Sequence, residues 1–160
     1  MWRWWSRCSV DGTETGSLGG LEVANLHPAM DYFGTAPERT RKELSKDGRA
    51  EALRRFFASG AKFEVWKSDP FLALIMYVQI QEAFGWDAFR KVFAEYRQLS
   101  PNERPKNDDE KRDQWLIRLS RTVGRNLARF FDTWGIPVSE QAKQAVADLP
   151  EWMPENFPPK

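Results

Sequence analysis

The chain has 160 residues, with 24 basic and 23 acidic side chains and a formal net charge of +1. This length predicts one domain, and the charge balance excludes the broad basic field typical of proteins that bind nucleic acid or a membrane surface. Hydrophobic residues make up 41% of the chain and include 8 Trp and 11 Phe, which predicts a dense aromatic core.

Residues 1–20 are predicted to form an irregular or flexible segment, because a basic, aromatic start is followed by the glycine-rich run DGTETGSLGG. The apolar run at the start is too short for the core of a signal peptide. No stretch reaches the roughly 18 uncharged apolar residues of a membrane helix. The sequence therefore predicts a soluble chain with no membrane insertion, and it leaves the localisation open.

Cys8 is the one cysteine and His27 the one histidine of the chain. A single cysteine cannot form an internal disulfide, and this pair does not make a usual structural zinc site. The sequence also lacks HExxH, Cys-x-x-Cys, G-x-S-x-G and phosphate-binding glycine motifs. We predict no catalytic residue, no metal ligand and no cofactor site in this chain.

Residues 21–160 have a helical pattern almost throughout. We expect one helix from Pro37 to about Lys46 and another that Asp47 caps and Gly60 ends. Residues 61–68 are interpreted as an aromatic connector, compatible with a short extended piece pinned to the core.

The stretch FLALIMYVQIQEAFGW predicts the central helix of the fold, at about residues 71–84. Asp69 can cap this helix, Pro70 suits its first position and Gly85 ends it. Apolar residues lie on most of its sides, which indicates a helix packed by others around it. They form two stripes: Phe71, Leu74, Ile75 and Val78, and Leu72, Met76 and Ile80.

Asp87 is expected to cap the next helix, which shows an amphipathic period from Phe89 to Tyr96. After a polar break, an acidic first turn opens a long helix, predicted from about Asp109 to Trp134. One face of that helix carries four arginines. We interpret this face as solvated and offset by nearby acids such as Asp113 and Asp132, rather than as a phosphate-binding face. The four arginines are Arg118, Arg121, Arg125 and Arg129.

A last helix is predicted after Ser139, its cap, and before Pro150. The proline-rich tail EWMPENFPPK cannot be helical, and Trp152 and Met153 are its candidates for docking onto the body. With no alternating strand pattern of useful length, the sequence predicts an all-α, multi-helix bundle.

Two long blocks resemble the helical C-terminal part of the enhancin-like (M-60-like) zinc metallopeptidases, a superfamily that includes the animal TRP-channel-associated factors. ALIMYVQIQEAFGWDAFRKVFAEYR is similar to the family's Tyr-x-Gln-Leu-Gln-Glu-x-Phe-Gly-Trp block, with Ile80 in place of the usual Leu. DDEKRDQWLIRLSRTVGRNLARFFDTWGIPVS resembles its Asn-Leu-x-x-Phe-Phe-x-x-Trp-Gly-x-Pro run. HPAM and VADLPEWMP resemble two shorter family segments, so the resemblance extends from about Leu21 onward.

This resemblance implies zinc chemistry that the chain itself does not carry. Family peptidases place two zinc-binding histidines and a general-base glutamate on one HExxH helix upstream of the region that matches here. A third ligand follows that helix; GTET resembles its surroundings and nominates Glu14, but a glycine run replaces the helix expected next. We therefore expect a fragment or remnant that is inactive alone, with zinc only in a full-length parent domain.

Four polar residues of the central helix are the candidate site residues: Tyr77, Gln79, Gln81 and Glu82. A buried polar group without a partner costs about 1–3 kcal/mol, so these groups must either bond to neighbouring elements or line a cleft. If they line a cleft, the resemblance implies a glycoprotein or peptide substrate, with Tyr77 as a stabiliser of the oxyanion near the zinc.

Three functions remain open from the sequence. The chain is the helical portion of an enhancin-like peptidase, whose partners are the substrate and the missing N-terminal half of the domain. Alternatively, it is a non-enzymatic protein- or glycan-binding module, as in the channel-associated relatives. The third alternative is a helical bundle with no retained activity.

Overall fold

The computed structural model describes residues 45–158. The chain divides into two compact units, residues 1–52 and 53–160. The predicted irregular segment at residues 1–20 and most of the helix predicted from Pro37 lie outside the described residues, as do Cys8, Glu14 and His27.

In the first unit, the described residues are the start of helix α1 (Lys46–Ala58) and the serine before it. The Ser45 hydroxyl oxygen accepts a hydrogen bond from the Gly48 backbone N–H at 3.1 Å. Ser45 therefore caps the helix, and the prediction of Asp47 as the cap is wrong, because the helix starts at Lys46, two residues earlier than predicted.

The second unit contains the end of α1 and six further helices within its described residues. They are α2 (Phe63–Ser68), α3 (Pro70–Phe84), α4 (Trp86–Gln98), α5 (Asp108–Val123), α6 (Ala128–Thr133) and α7 (Glu140–Gln144). Residues 45–158 contain no strand, only an isolated parallel bridge between Asn126 and Glu151. The all-α prediction is confirmed, but residues 63–68 are helical rather than extended.

Helix α3 begins and ends as its sequence predicts. One carboxylate oxygen of Asp69 accepts from the backbone N–H groups of Phe71 at 2.9 Å and Leu72 at 3.1 Å. Pro70 occupies the first turn, and Gly85, with φ of 74°, ends the helix. Burial is less symmetric than predicted, because the first apolar stripe is mostly half-buried. The buried members of α3 are Leu72, Ala73, Ile75, Met76 and Ile80.

Helix α4 packs on α3 and on α5, and α5 also packs on α7. Gly85 is the residue before α4, so the prediction of Asp87 as its cap is wrong; Asp87 lies in the first turn and pairs with Arg90. The amphipathic period is confirmed, with Phe89 and Val92 buried. Ser139 caps α7 as predicted, accepting from the Ala142 backbone N–H at 3.1 Å.

The long helix predicted from Asp109 to Trp134 is two helices, separated at Gly124. This glycine adopts a left-handed conformation, with φ of 66°, and closes α5. The buried Ser120 hydroxyl then accepts from the Leu127 backbone N–H at 3.3 Å, and the Asn126 side chain accepts from the Ala128 N–H at 2.9 Å. The prediction failed because the apolar period continues across a residue that breaks the helix.

Three of the four arginines that were predicted to share one helix face are ion-paired. Arg118 pairs with Glu95, Arg121 with Asp148 at 2.7 Å, and Arg129 with Glu151 at 3.4 Å. The charge offset is as expected, although the acids are not those predicted. The Asp113 carboxylate instead accepts from the Ser139 N–H at 2.8 Å, and Asp132 pairs with Lys143 at 3.0 Å.

Two backbone segments cross closely between the α1–α2 turn and the turn after α6. Gly135 has φ of 68°, and a Cβ built there would lie 1.9 Å from the Ala61 carbonyl oxygen. Ala61 is itself left-handed, with φ of 49°. Trp134 and Ile136, on either side of the glycine, are buried. This packing therefore requires a glycine at position 135.

Within residues 45–158, no helix combines the length and the apolar character that are needed to cross a membrane.

Candidate functional site

The four candidate residues share helix α3 but have different surroundings. Residues two apart on an α-helix project about 200° from each other, so Tyr77 and Gln79 lie on opposite sides of α3. Tyr77, Gln79 and Gln81 are half-buried, whereas Glu82 is exposed. The structure therefore does not bring the four side chains together at one point.

Tyr77 belongs to an aromatic cluster between α3, α4 and α5. Its ring meets the rings of Phe89 and Trp115 edge-on, with centroids 6.3 Å and 6.2 Å away. Trp115 also contacts Phe93 at 5.7 Å and Tyr96 at 6.4 Å. Burial raises the pKa of Tyr77 to about 12, so its phenol stays protonated at neutral pH. The ring thus connects three helices, and its hydroxyl is a neutral hydrogen-bond donor.

Tyr96 lies at the edge of the same cluster, next to Arg118. The guanidinium carbon of Arg118 lies 5.2 Å from the centre of the Tyr96 ring. Burial raises the pKa of Tyr96, and the nearby guanidinium opposes that rise. Both phenols of the cluster are consequently neutral at physiological pH.

Gln79 faces the other side of α3, toward Trp134. Its side-chain oxygen accepts a hydrogen bond from the Trp134 indole N–H at 3.1 Å. Trp134 is fully buried, with 0% of its surface exposed. An indole N–H can only donate, so burial of this ring requires an acceptor at this place. Gln79 supplies this acceptor, as expected if the polar residues of α3 bond to neighbouring elements instead of lining a cleft.

Gln81 and Glu82 lie at the C-terminal end of α3. The Gln81 backbone carbonyl accepts from the Gly85 N–H at 2.8 Å, which satisfies one of the end carbonyls of the helix. The Glu82 side chain is exposed.

The aromatic surroundings of Trp134 were not predicted from the sequence. Its ring centroid lies 5.5 Å from that of Phe56 and 5.5 Å from that of Phe157. The expected docking of Trp152 is confirmed, since its ring lies 4.9 Å from Phe84. The tail sequence indicates docking, because the large aromatic residues Trp152 and Phe157 lie among prolines. Which rings they contact depends on the tertiary fold.

These features define an all-helical bundle in which Tyr77 and Gln79 of α3 contact other parts of the bundle. A sequence model of the family described as "Peptidase M60, enhancin and enhancin-like" matches residues 26–135. The chain belongs to this family.

Relatives in animals match most of the chain. TRPM8 channel-associated factor 2 of Bos taurus is 37% identical over 83% of this chain, and TRPM8 channel-associated factor 3 of Mus musculus is 37% identical over 72%. The matched regions are 13% and 12% of those proteins, so the chain spans about an eighth of their length. A solved structure, described as a functionally unknown conserved protein from Bacillus anthracis str. Ames, is similar with a TM-score of 0.59 and 28% identity. It covers 68% of this chain, and the match is 23% of that protein.

A catalytic zinc of the kind that the family implies does not fit the residues present. In the part of the chain that the structure describes, no three His, Cys, Asp or Glu side chains are grouped to hold a metal ion. The whole sequence has one histidine, and the HExxH motif requires two. We therefore assign no step of chemistry in this chain to a metal.

Gln79→Ala is expected to lower the free energy of unfolding by about 1–3 kcal/mol, because it leaves the Trp134 indole N–H buried without an acceptor. Gln81→Ala, at a half-buried glutamine of the same helix, is the matched control and is expected to cost less, because it leaves the Trp134 indole N–H paired with Gln79. Urea denaturation followed by tryptophan fluorescence measures both. If Gln79→Ala leaves stability unchanged and abolishes binding of a glycopeptide, α3 is a cleft wall.

Proposed function

We propose that this chain forms the helical portion of an enhancin-like M60 domain and is non-catalytic by itself. The observation that carries the proposal is the combination of the family match over residues 26–135 with a single histidine in the sequence. The zinc ligands of an active domain would come from another part of the parent protein. In that domain the helical portion would support one side of the substrate cleft, with a glycoprotein or peptide as the substrate.

The packing of α3 favours a structural role for this helix over a catalytic role. Tyr77 lies edge-on to Phe89 and Trp115, and Gln79 bonds to Trp134. Groups that are held this way stabilise a rigid wall, and a rigid wall positions a cleft precisely enough for catalysis elsewhere in the domain. Glu82 and Ala83, which are exposed, are the members of the segment that can face a peptide.

The purified chain is expected to retain no stoichiometric zinc after equilibration with the metal and dialysis, and to leave mucin-type glycoproteins uncut. Elemental analysis and gel electrophoresis of the digested substrate measure the two results. Glu14→Gln is the matched variant, since Glu14 is the nominated third ligand, and it is expected to behave as the unmodified chain. Tight, stoichiometric zinc together with chelator-sensitive cleavage would refute the proposal.

A second candidate is a non-enzymatic protein-binding module. The supporting observation is the 37% identity to two proteins that are named as TRPM8 channel-associated factors. A channel of that type would then be the partner of this chain or of its parent protein. Co-precipitation of the purified chain with the channel, in the absence of zinc, would favour this module over the supporting role in a peptidase.

A further inference from the structure

The C-terminal segment, residues 150–158, packs on the helices, pairs through its backbone at residues 150–152 and turns at residues 155–156. The Asn126 backbone N–H donates to the Pro150 carbonyl at 2.8 Å, and the Trp152 N–H donates to the Asn126 carbonyl at 3.1 Å. These bonds form the parallel bridge between Asn126 and Glu151. Asn126 is available for this pairing because α5 ends at Gly124 and α6 begins only at Ala128.

The side chains of the segment enter an aromatic groove formed by Phe57, Phe84, Phe130 and Trp134. Trp152 lies between two of these rings, 4.9 Å from Phe84 and 5.2 Å from Phe130. Phe157 stacks on Trp134 at 5.5 Å. It also lies 5.3 Å from Phe57 and 5.7 Å from Phe130. Each of the two anchors therefore contacts at least two rings of the groove.

One exposed ion pair accompanies the backbone bridge. Arg129 lies 3.4 Å from Glu151, and both side chains are exposed, at 68% and 63%. A pair this exposed adds little affinity, and the backbone bridge sets the register of the segment. The base of the groove is rigid, because Gln79 holds the Trp134 indole on the side of α3.

Backbone pairing that supplies attraction, with side-chain pockets that supply selectivity, is a known mode by which folded domains recognise extended peptides. We propose that the aromatic groove is a peptide-binding site and that the chain's own C-terminal segment occupies it as a displaceable ligand. The partner that it fits is a peptide of another protein, with an acidic residue directly before a large aromatic residue and a second aromatic residue after a turn. This binding is separate from the metal chemistry of the family.

The connection to the segment supports its being displaceable. Of the residues that lead into it, Ala147 and Asp148 are exposed and Leu149 is half-buried, and Arg121 anchors this turn through Asp148 rather than through the segment. A short connection gives the tethered segment an effective concentration of about millimolar, so a competing peptide is excluded until the tether is cut or its anchors are weakened.

The experiment introduces a protease recognition sequence between Leu149 and Pro150 of the full chain. After cleavage, the nicked protein is expected to keep its helical circular dichroism and to release the segment on dilution. A fluorescent peptide of residues 150–160 should then bind to the emptied groove, measured by fluorescence anisotropy. The same peptide carrying Trp152→Ala is expected to bind at least about tenfold more weakly. Glu151→Gln, the matched change at an exposed pair, should weaken binding by less than about threefold.

Loss of helical signal on cleavage would make the segment an integral part of the core and would overturn the proposal. Equal binding of the peptide and its Trp152→Ala form would overturn it as well. The uncut chain gives a second measurement that does not require cleavage. Full-length Trp152→Ala, once shown to be folded, is expected to bind the fluorescent peptide at least about tenfold more tightly than the unmodified chain. A folded variant that binds no peptide would also refute the proposal.

Discussion

Gly135→Ala is expected to lower the free energy of unfolding by about 3–5 kcal/mol, a large share of the stability of a domain of this size. The added Cβ would lie 1.9 Å from the carbonyl oxygen of Ala61 and 3.1 Å from its carbonyl carbon. Both atoms belong to the backbone, so relief of the clash requires two chain segments to separate. A left-handed backbone conformation adds about 1–2 kcal/mol for any residue with a Cβ.

Gly124→Ala is the matched control for this change. Gly124 has φ of 66°, close to the 68° of Gly135, but a Cβ there meets nothing within 4 Å. Its substitution is therefore expected to cost only the backbone conformation, about 1–2 kcal/mol. The difference between the two variants in urea denaturation isolates the crossing with Ala61. Equal losses would show that the two backbone segments are not in close contact.

Local chemistry explains the features that the sequence predicted correctly. Asp69 and Pro70 start α3, Gly85 ends it and Ser139 caps α7, and each of these depends only on residues within one helical turn. The break at Gly124 was missed because the apolar residues on its two sides share one helical period. The decisive contact, between Asn126 and residues 150–152, comes from a distant part of the chain.

The contacts of the candidate site were also only partly predictable from the sequence. The sequence indicated that polar residues on a buried helix need partners, and Gln79 has one. It could not identify Trp134 as that partner, because the pairing depends on how α3 and the turn after α6 pack. Gly135 is similar: the sequence places it directly after the predicted end of the long helix, whereas its close approach to Ala61 follows only from the tertiary fold.

Ile80→Ala is expected to lower the free energy of unfolding by about 2–5 kcal/mol, since it removes a fully buried side chain from α3 and leaves a cavity. Ile80 has 0% of its surface exposed. Leu74→Ala is the matched comparison on the same helix. Leu74 is half-buried, so the neighbouring chain and solvent can fill part of the space, and about half the loss is expected.

The comparison of these two variants tests the one-sided burial of α3. If the slope of the unfolding free energy against urea concentration is the same for both variants, the difference between them lies in the folded state. A loss of less than about 1 kcal/mol for Ile80→Ala would put α3 at the surface of the bundle. A larger loss for Leu74→Ala than for Ile80→Ala would mean that α3 is rotated about its axis. That rotation would also separate Gln79 from Trp134, so the two stability measurements and the Gln79→Ala result must agree on one orientation of the helix.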